Sequence, residues 1–134
     1  MNLAQAFDDA CSRYNGENFA SLNERDQVLV AIWGVEAEVN NGGFDQYYFN
    51  GAGDQALYVP TALRAIGAHR MAEIVERANT LFGTGGPPAS HPQRQAALFR
   101  ITEAAEAAWD TLDRAFQEYP DDIGALLVKH FGLD

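Results

Sequence analysis

The chain has 134 residues and a formal net charge of −10 at pH 7, from 19 Asp and Glu residues against nine Lys and Arg residues. A chain of this length fits one domain, residues 1–134, which buries about two-thirds of its unfolded surface without needing disulfides. The acidity disfavours contact with phosphate backbones and so excludes an ordinary nucleic-acid binder.

Apolar residues recur at helical spacing along the chain, and no segment alternates with the period of a strand. A first helix is predicted over residues 2–15. Ser21, with Glu24 three residues later, predicts a capping box that opens a second helix running to about Asn41. The apolar positions of that helix cover a wide arc, which predicts a central, largely buried element. They are Val28, Leu29, Ile32, Trp33, Val35 and Val39.

Glycines and capping residues divide the rest of the chain into further helices. Gly42-Gly43 is predicted to stop the second helix through left-handed backbone geometry, and a short aromatic helix follows from Phe44 to about Asn50. Later helices are predicted over residues 58–68, 69–82 and 93–119 and from Pro120 onwards, with a Gly- and Pro-rich loop at 83–90. The predicted fold is all-α, with six or seven helices in one compact domain.

The helix over residues 93–119 has two chemically distinct faces at about 100 degrees per residue. One face is apolar. The other is acidic and carries Glu103, Glu106, Asp110 and Asp113. These four acids span about 15 Å of helix, whereas duplex DNA of that length carries about nine phosphate charges. A surface that imitates DNA therefore needs more acids, from a second protomer or from other parts of the chain. Candidates in the chain are Glu118, Asp121 and Asp122.

The most distinctive stretch is Asn40-Asn41-Gly42-Gly43-Phe44-Asp45-Gln46-Tyr47-Tyr48-Phe49-Asn50. With the helix end Glu36-Ala37-Glu38-Val39, the Gly-Pro-Pro loop and the closing Tyr119-Pro120-Asp121-Asp122, it resembles a family of small bacterial all-helical proteins. That family is mostly of unknown function and is best known through a member described as a DNA mimic. The resemblance covers nearly the whole chain. It implies an acidic protein that occupies the DNA-binding surface of a transcription regulator or another basic partner.

The signature stretch itself allows two interpretations. As a folding device, its glycines provide unusual backbone geometry, its aromatic residues are buried, and its amides bond to backbone groups freed at helix ends. As a binding site, the aromatic residues wall a small-ligand pocket. The residues concerned are Glu36, Asn40, Asn41, Gly42, Gly43, Phe44, Gln46, Tyr47, Tyr48 and Asn50. Glu36 falls on the apolar arc, so we expect it to cap the helix at Phe44 or to have a raised pKa.

No other pattern predicts chemistry, and we expect neither an enzyme nor a cofactor. The three histidines are far apart and lack metal-ligand spacing, so no metal site is predicted. A lone cysteine, Cys11, and the absence of a long apolar run near Met1 favour a cytoplasmic protein with no signal peptide or membrane contact. The favoured function is an acidic protein-binding module acting as a DNA mimic. A small-molecule-binding domain and an immunity-type inhibitor of a basic toxin stay open as alternatives, as does a homodimer.

Overall fold

The computed structural model describes residues 1–134 apart from the surroundings of Gly16. Its helices in chain order are α1 (Leu3–Gly16), a 3₁₀ turn (Phe19–Ser21), α2 (Glu24–Phe49), a second 3₁₀ turn (Gly51–Gln55), α3 (Val59–Ala65), α4 (His69–Thr80), α5 (His91–Gln117) and α6 (Ile123–Phe131). No strand occurs in the part of the chain that is described. The prediction of an all-α fold with six or seven helices is therefore confirmed.

Helix α2 forms the centre of the fold and packs against α1, α3 and α5. Its side chains are buried on most sides, as the wide apolar arc predicts. Trp33 is the exception, because 49% of its surface is exposed, and the prediction of its burial is wrong. The second 3₁₀ turn packs on the neighbouring Gly34, where an added Cβ would lie 3.2 Å from the Cβ of Ala52. The turn therefore covers Gly34, and Trp33 lies beside that contact with its indole half exposed.

Local capping sets where the two long helices begin. In α2 the N-cap is Asn23, whose side chain accepts a hydrogen bond from the Asp26 N–H at 2.8 Å. Ser21 instead ends the first 3₁₀ turn, so the capping box predicted there is wrong. Helix α5 begins at His91, two residues before the predicted start, and the Ser90 hydroxyl accepts from the Gln93 N–H at 3.4 Å. Such side-chain acceptors satisfy N–H groups that have no partner within the helix.

Candidate functional site

The signature stretch lies where α2 is interrupted. Gly43 has φ 81° and ψ −177°, a backbone conformation that is open essentially to glycine alone. Helical geometry resumes at Phe44, so α2 consists of a long helical segment before Gly43 and a short one from Phe44 to Phe49, with a kink between them. The stop at the glycine pair and the short aromatic helix that follows it are thus as predicted. Gly42 itself has no positive φ.

At the break, α5 provides the acceptor for a backbone N–H of α2. The N–H of Phe44 donates to Oδ1 of Asp113 at 2.8 Å. A side chain at Gly43 would overlap the Asp113 carboxylate, so glycine is required here for space as well as for conformation. Asp113, predicted on the outer acidic face, is half-buried and joins the two central helices.

The amides of the signature bond mainly to side chains, contrary to the prediction that they bond to freed backbone groups. Gln46 and Asn50 both donate to Oε2 of Glu38, at 2.9 and 2.8 Å. Asn40 donates to the hydroxyl of Tyr119 at 2.7 Å, and Asn41 donates to Oε1 of Gln46 at 3.3 Å. The Val39 carbonyl beside the break accepts instead from the Gln117 amide of α5, at 3.2 Å. Glu38 is therefore the shared acceptor for two of the signature amides, those of Gln46 and Asn50.

The aromatic residues of the signature fill the interior. Phe44, Tyr47 and Tyr48 are completely buried. The ring of Tyr48 lies 5.4 Å from that of Trp109, and Phe44 stacks on Tyr48 at 6.0 Å between centroids. The Tyr48 hydroxyl donates to Oδ1 of Asn79 at 2.6 Å. These rings form part of the hydrophobic core and do not wall an open pocket, which favours the folding device over the predicted ligand site.

Glu36 has the raised pKa that its position predicts, but it does not cap Phe44. Burial raises the pKa of its carboxyl group, and a hydrogen bond from the Tyr119 hydroxyl at 2.8 Å partly opposes the shift. Glu36 lines a shallow surface groove with Phe7 and Trp33. The cap expected from Glu36 comes instead from Asp113, while the Glu36 carboxylate accepts from Tyr119.

A groove of about 220 Å³ between α2 and α5 brings four carboxylates together. Glu106, Asp110 and Asp113 come from α5, and Asp45 comes from α2, two residues beyond the break. Burial raises the pKa of Asp113, and the neighbouring charges of Asp110 and Asp45 raise it further. The hydrogen bond from Phe44 and the charge of Arg114 oppose that shift. The groove is lined otherwise by Gly42, Thr102 and Trp109, so no cation lines it.

The remaining predicted acids have different surroundings. Glu103 and Glu118 are exposed. Asp121 accepts from the Met71 N–H at 2.9 Å and so caps α4. Asp122 is the N-cap of α6.

We call Asp45, Glu103, Glu106, Asp110 and Asp113 the α5 acidic surface. The structure therefore joins Asp45, which the helical arithmetic did not select, to the predicted acids of α5, and it uses Asp121 and Asp122 within the fold.

An ion pair between a buried arginine and a half-exposed carboxylate lies behind the signature. Arg94 is fully buried and donates to the carbonyl oxygens of Tyr48 and Asn50 at 2.7 and 2.8 Å. It also contacts the carboxylate of Asp54 at 2.9 Å. The sequence did carry a signal for Arg94, which precedes Leu98 by four residues and so falls on the apolar stripe of α5.

In the described residues, no group of three or more His, Cys, Asp and Glu side chains is arranged to hold a metal ion. No described helix is both long enough and apolar enough to cross a membrane.

A family model described as DMP19-like protein matches residues 20–131. The chain belongs to this family. The match spans α2 with its break and all of α5. Comparison with curated proteins gave no match, and neither did comparison with solved structures.

Proposed function

We propose that this member of the DMP19-like family is an acidic protein-binding module that acts as a DNA mimic. Its α5 acidic surface would occupy the DNA-binding surface of a basic partner, such as a transcription regulator. The observation that carries the proposal is the joining of Asp45 to Glu106 and Asp110 around one groove free of lining cations. Membership of a family linked to DNA mimicry supports it.

The physical basis is charge complementarity. Exposed carboxylates on a rigid helix present negative charge at fixed spacing, and a DNA-binding surface presents Arg and Lys side chains placed to meet phosphates. The net charge of the chain, −10, favours the approach of a basic partner and disfavours the approach of DNA itself. Since exposed charges are screened over about 8 Å at physiological ionic strength, we expect the complex to weaken steeply as salt is added.

The test is competition between this protein and duplex DNA for a partner captured at low salt. A variant with Asp45→Asn, Glu103→Gln, Glu106→Gln and Asp110→Asn removes the exposed charges. It keeps Asp113, which accepts the hydrogen bond from Phe44. We expect this variant to lose the ability to displace DNA while its melting temperature is maintained.

A matched control neutralises four acids outside the surface, namely Asp8, Glu17, Glu24 and Glu73, and changes the net charge equally. We expect this control to compete like the wild type. Equal loss in both variants would mean that net charge alone drives binding, and equal competition by the α5 variant and the wild type would refute the proposal. A captured partner with nuclease activity that the protein inhibits would instead favour the immunity-type alternative.

A further inference from the structure

A second hollow lies on a different part of the molecule from the α5 acidic surface. It has a volume of about 450 Å³ and lies between α1, α2 and the 3₁₀ turn Gly51–Gln55. It shares no lining residue with the acidic groove. Its volume is within the range of about 300 to 1,000 Å³ that is typical of small-molecule sites. The proposed function makes no use of it.

Aromatic and apolar groups form the walls of this hollow. Trp33 and Tyr14 line it, together with Cys11, Val30 and Ala52. The Tyr14 hydroxyl accepts a hydrogen bond from the Gln55 amide at 3.3 Å, which fixes the position of its ring. The half-exposed side chain of Trp33 therefore lines this hollow, whereas most apolar side chains of α2 are buried in the core. An indole face is the aromatic surface that best attracts a cation.

A carboxylate lines the same hollow and is held in place from behind. Asp54 pairs through Oδ1 with the buried Arg94 guanidinium, and its side chain is 38% exposed. The remaining N–H groups of Arg94 donate to carbonyl oxygens, including those of Tyr48, Asn50 and Pro88. Oδ2 of Asp54 accepts no hydrogen bond from the described residues. A carboxylate oxygen therefore lies beside an aromatic wall and is available to a donor.

We propose that this hollow binds a small aromatic amine. The ring of such a ligand packs against Trp33 and Tyr14, and its protonated amine meets Oδ2 of Asp54 next to the indole face. The negative charge of the chain disfavours aromatic carboxylates of the same size. The ligand class thus follows from the walls, the carboxylate and the charge together.

Two glycines offer a matched pair of variants. An added Cβ at Gly51 would have no atom within 4 Å, and the residue lines the hollow, so Gly51→Leu should fill the space without disturbing the core. Gly85 is equally open and lies in the loop between α4 and α5, outside the hollow. Both substitutions leave the charge unchanged. A ligand held only by the general negative charge would therefore bind both variants alike.

The experiment uses 2-phenylethylamine as the probe and 3-phenylpropionate as its anionic counterpart, followed by calorimetry and by tryptophan fluorescence. Trp109 is buried, so a change in the exposed tryptophan signal reports on Trp33. We expect the amine to bind and the carboxylate not to bind. Gly51→Leu should abolish binding, Gly85→Leu should leave it unchanged, and Asp54→Asn should weaken it at least tenfold.

Because Asp54→Asn also alters the pairing of Arg94, its melting temperature is measured alongside, and Gly51→Leu gives the independent check. Failure of the amine to bind at millimolar concentration would overturn the proposal. Equal binding of the amine and the carboxylate, or full binding to Gly51→Leu, would overturn it as well. Protection of the half-buried Cys11 thiol from alkylation by the bound amine would place the probe in the hollow.

Discussion

Replacing Asp113 separates its role in the fold from its charge. The carboxylate accepts a hydrogen bond from the Phe44 N–H at 2.8 Å, directly after the break in α2 at Gly43. This is the geometry of a helix cap provided by another helix. Loss of such an acceptor costs about 0.5 to 2 kcal/mol, and we expect Asp113→Ala to lower the free energy of unfolding by that amount. Asp110→Ala, on the same helix and exposed, is the control and should change stability little.

Asp113→Asn should behave differently, because an asparagine oxygen still accepts the hydrogen bond from Phe44. Burial raises the pKa of Asp113, and the charges of Asp110 and Asp45 add to the shift. The folded protein therefore binds a proton at this site more tightly than the unfolded chain does. Stability is then gained as pH falls through the raised pKa and lost as pH rises through it. Asp113→Asn removes the charge, so it should be at least as stable as the wild type at pH 7.

Urea unfolding of the wild type and both variants, from pH 7 down to the ordinary pKa range of a carboxyl group, measures this difference. We expect the wild type to approach Asp113→Asn in stability as pH falls, and Asp113→Ala to stay below both. Equal destabilisation by the Ala and Asn variants at every pH would mean that the hydrogen bond to Phe44 contributes nothing. The role assigned to Asp113 would then be wrong.

Four further substitutions probe the surroundings of the break. Gly43→Ala should cost on the order of 1 to 3 kcal/mol through backbone strain. Gly42→Ala lacks that strain and must displace only the half-buried Gln46 side chain, so it should cost less, as thermal unfolding of both would show. Glu36→Gln should stabilise the protein at pH 7 and lose that advantage as pH falls, because burial raises the pKa of Glu36 in the folded state. Arg94→Met leaves Asp54 and several carbonyl oxygens without their donor and should cost about 3 to 5 kcal/mol in denaturant unfolding.

The helices could be predicted from the sequence because periodicity and capping are local properties. The start of α2 shows the limit of this reasoning, since Ser21 with Glu24 and Asn23 with Asp26 are competing caps two residues apart. The second is the one that forms. Helical arithmetic likewise placed Trp33 on a buried arc, but the approach of a turn to its neighbour Gly34 leaves the indole half exposed. That approach is a long-range contact.

The candidate site was only half predictable for the same reason. The spacing on α5 correctly groups Glu106 with Asp110, since both lie on one exposed face. Nothing in that spacing shows that α2 breaks opposite Asp113 and brings Asp45 beside it. Both facts depend on how the two longest helices cross. The sequence thus predicts which acids share a helix face, and the packing of α2 on α5 decides which of them stay free to meet a partner.

The charge count of the α5 acidic surface bears on how such a mimic could work. Glu103, Glu106 and Asp110 are exposed and Asp45 joins them, whereas Asp113 is engaged with Phe44. The acids of α5 extend over about 15 Å of helix, a length over which one strand of DNA carries about four phosphates and the duplex about nine. One copy of the chain therefore matches the charge of a single strand. We therefore expect two copies of the chain to bind each partner site that contacts both DNA strands. Sedimentation of the purified complex would measure this stoichiometry. A one-to-one complex that fully excludes DNA from such a site would contradict the charge count.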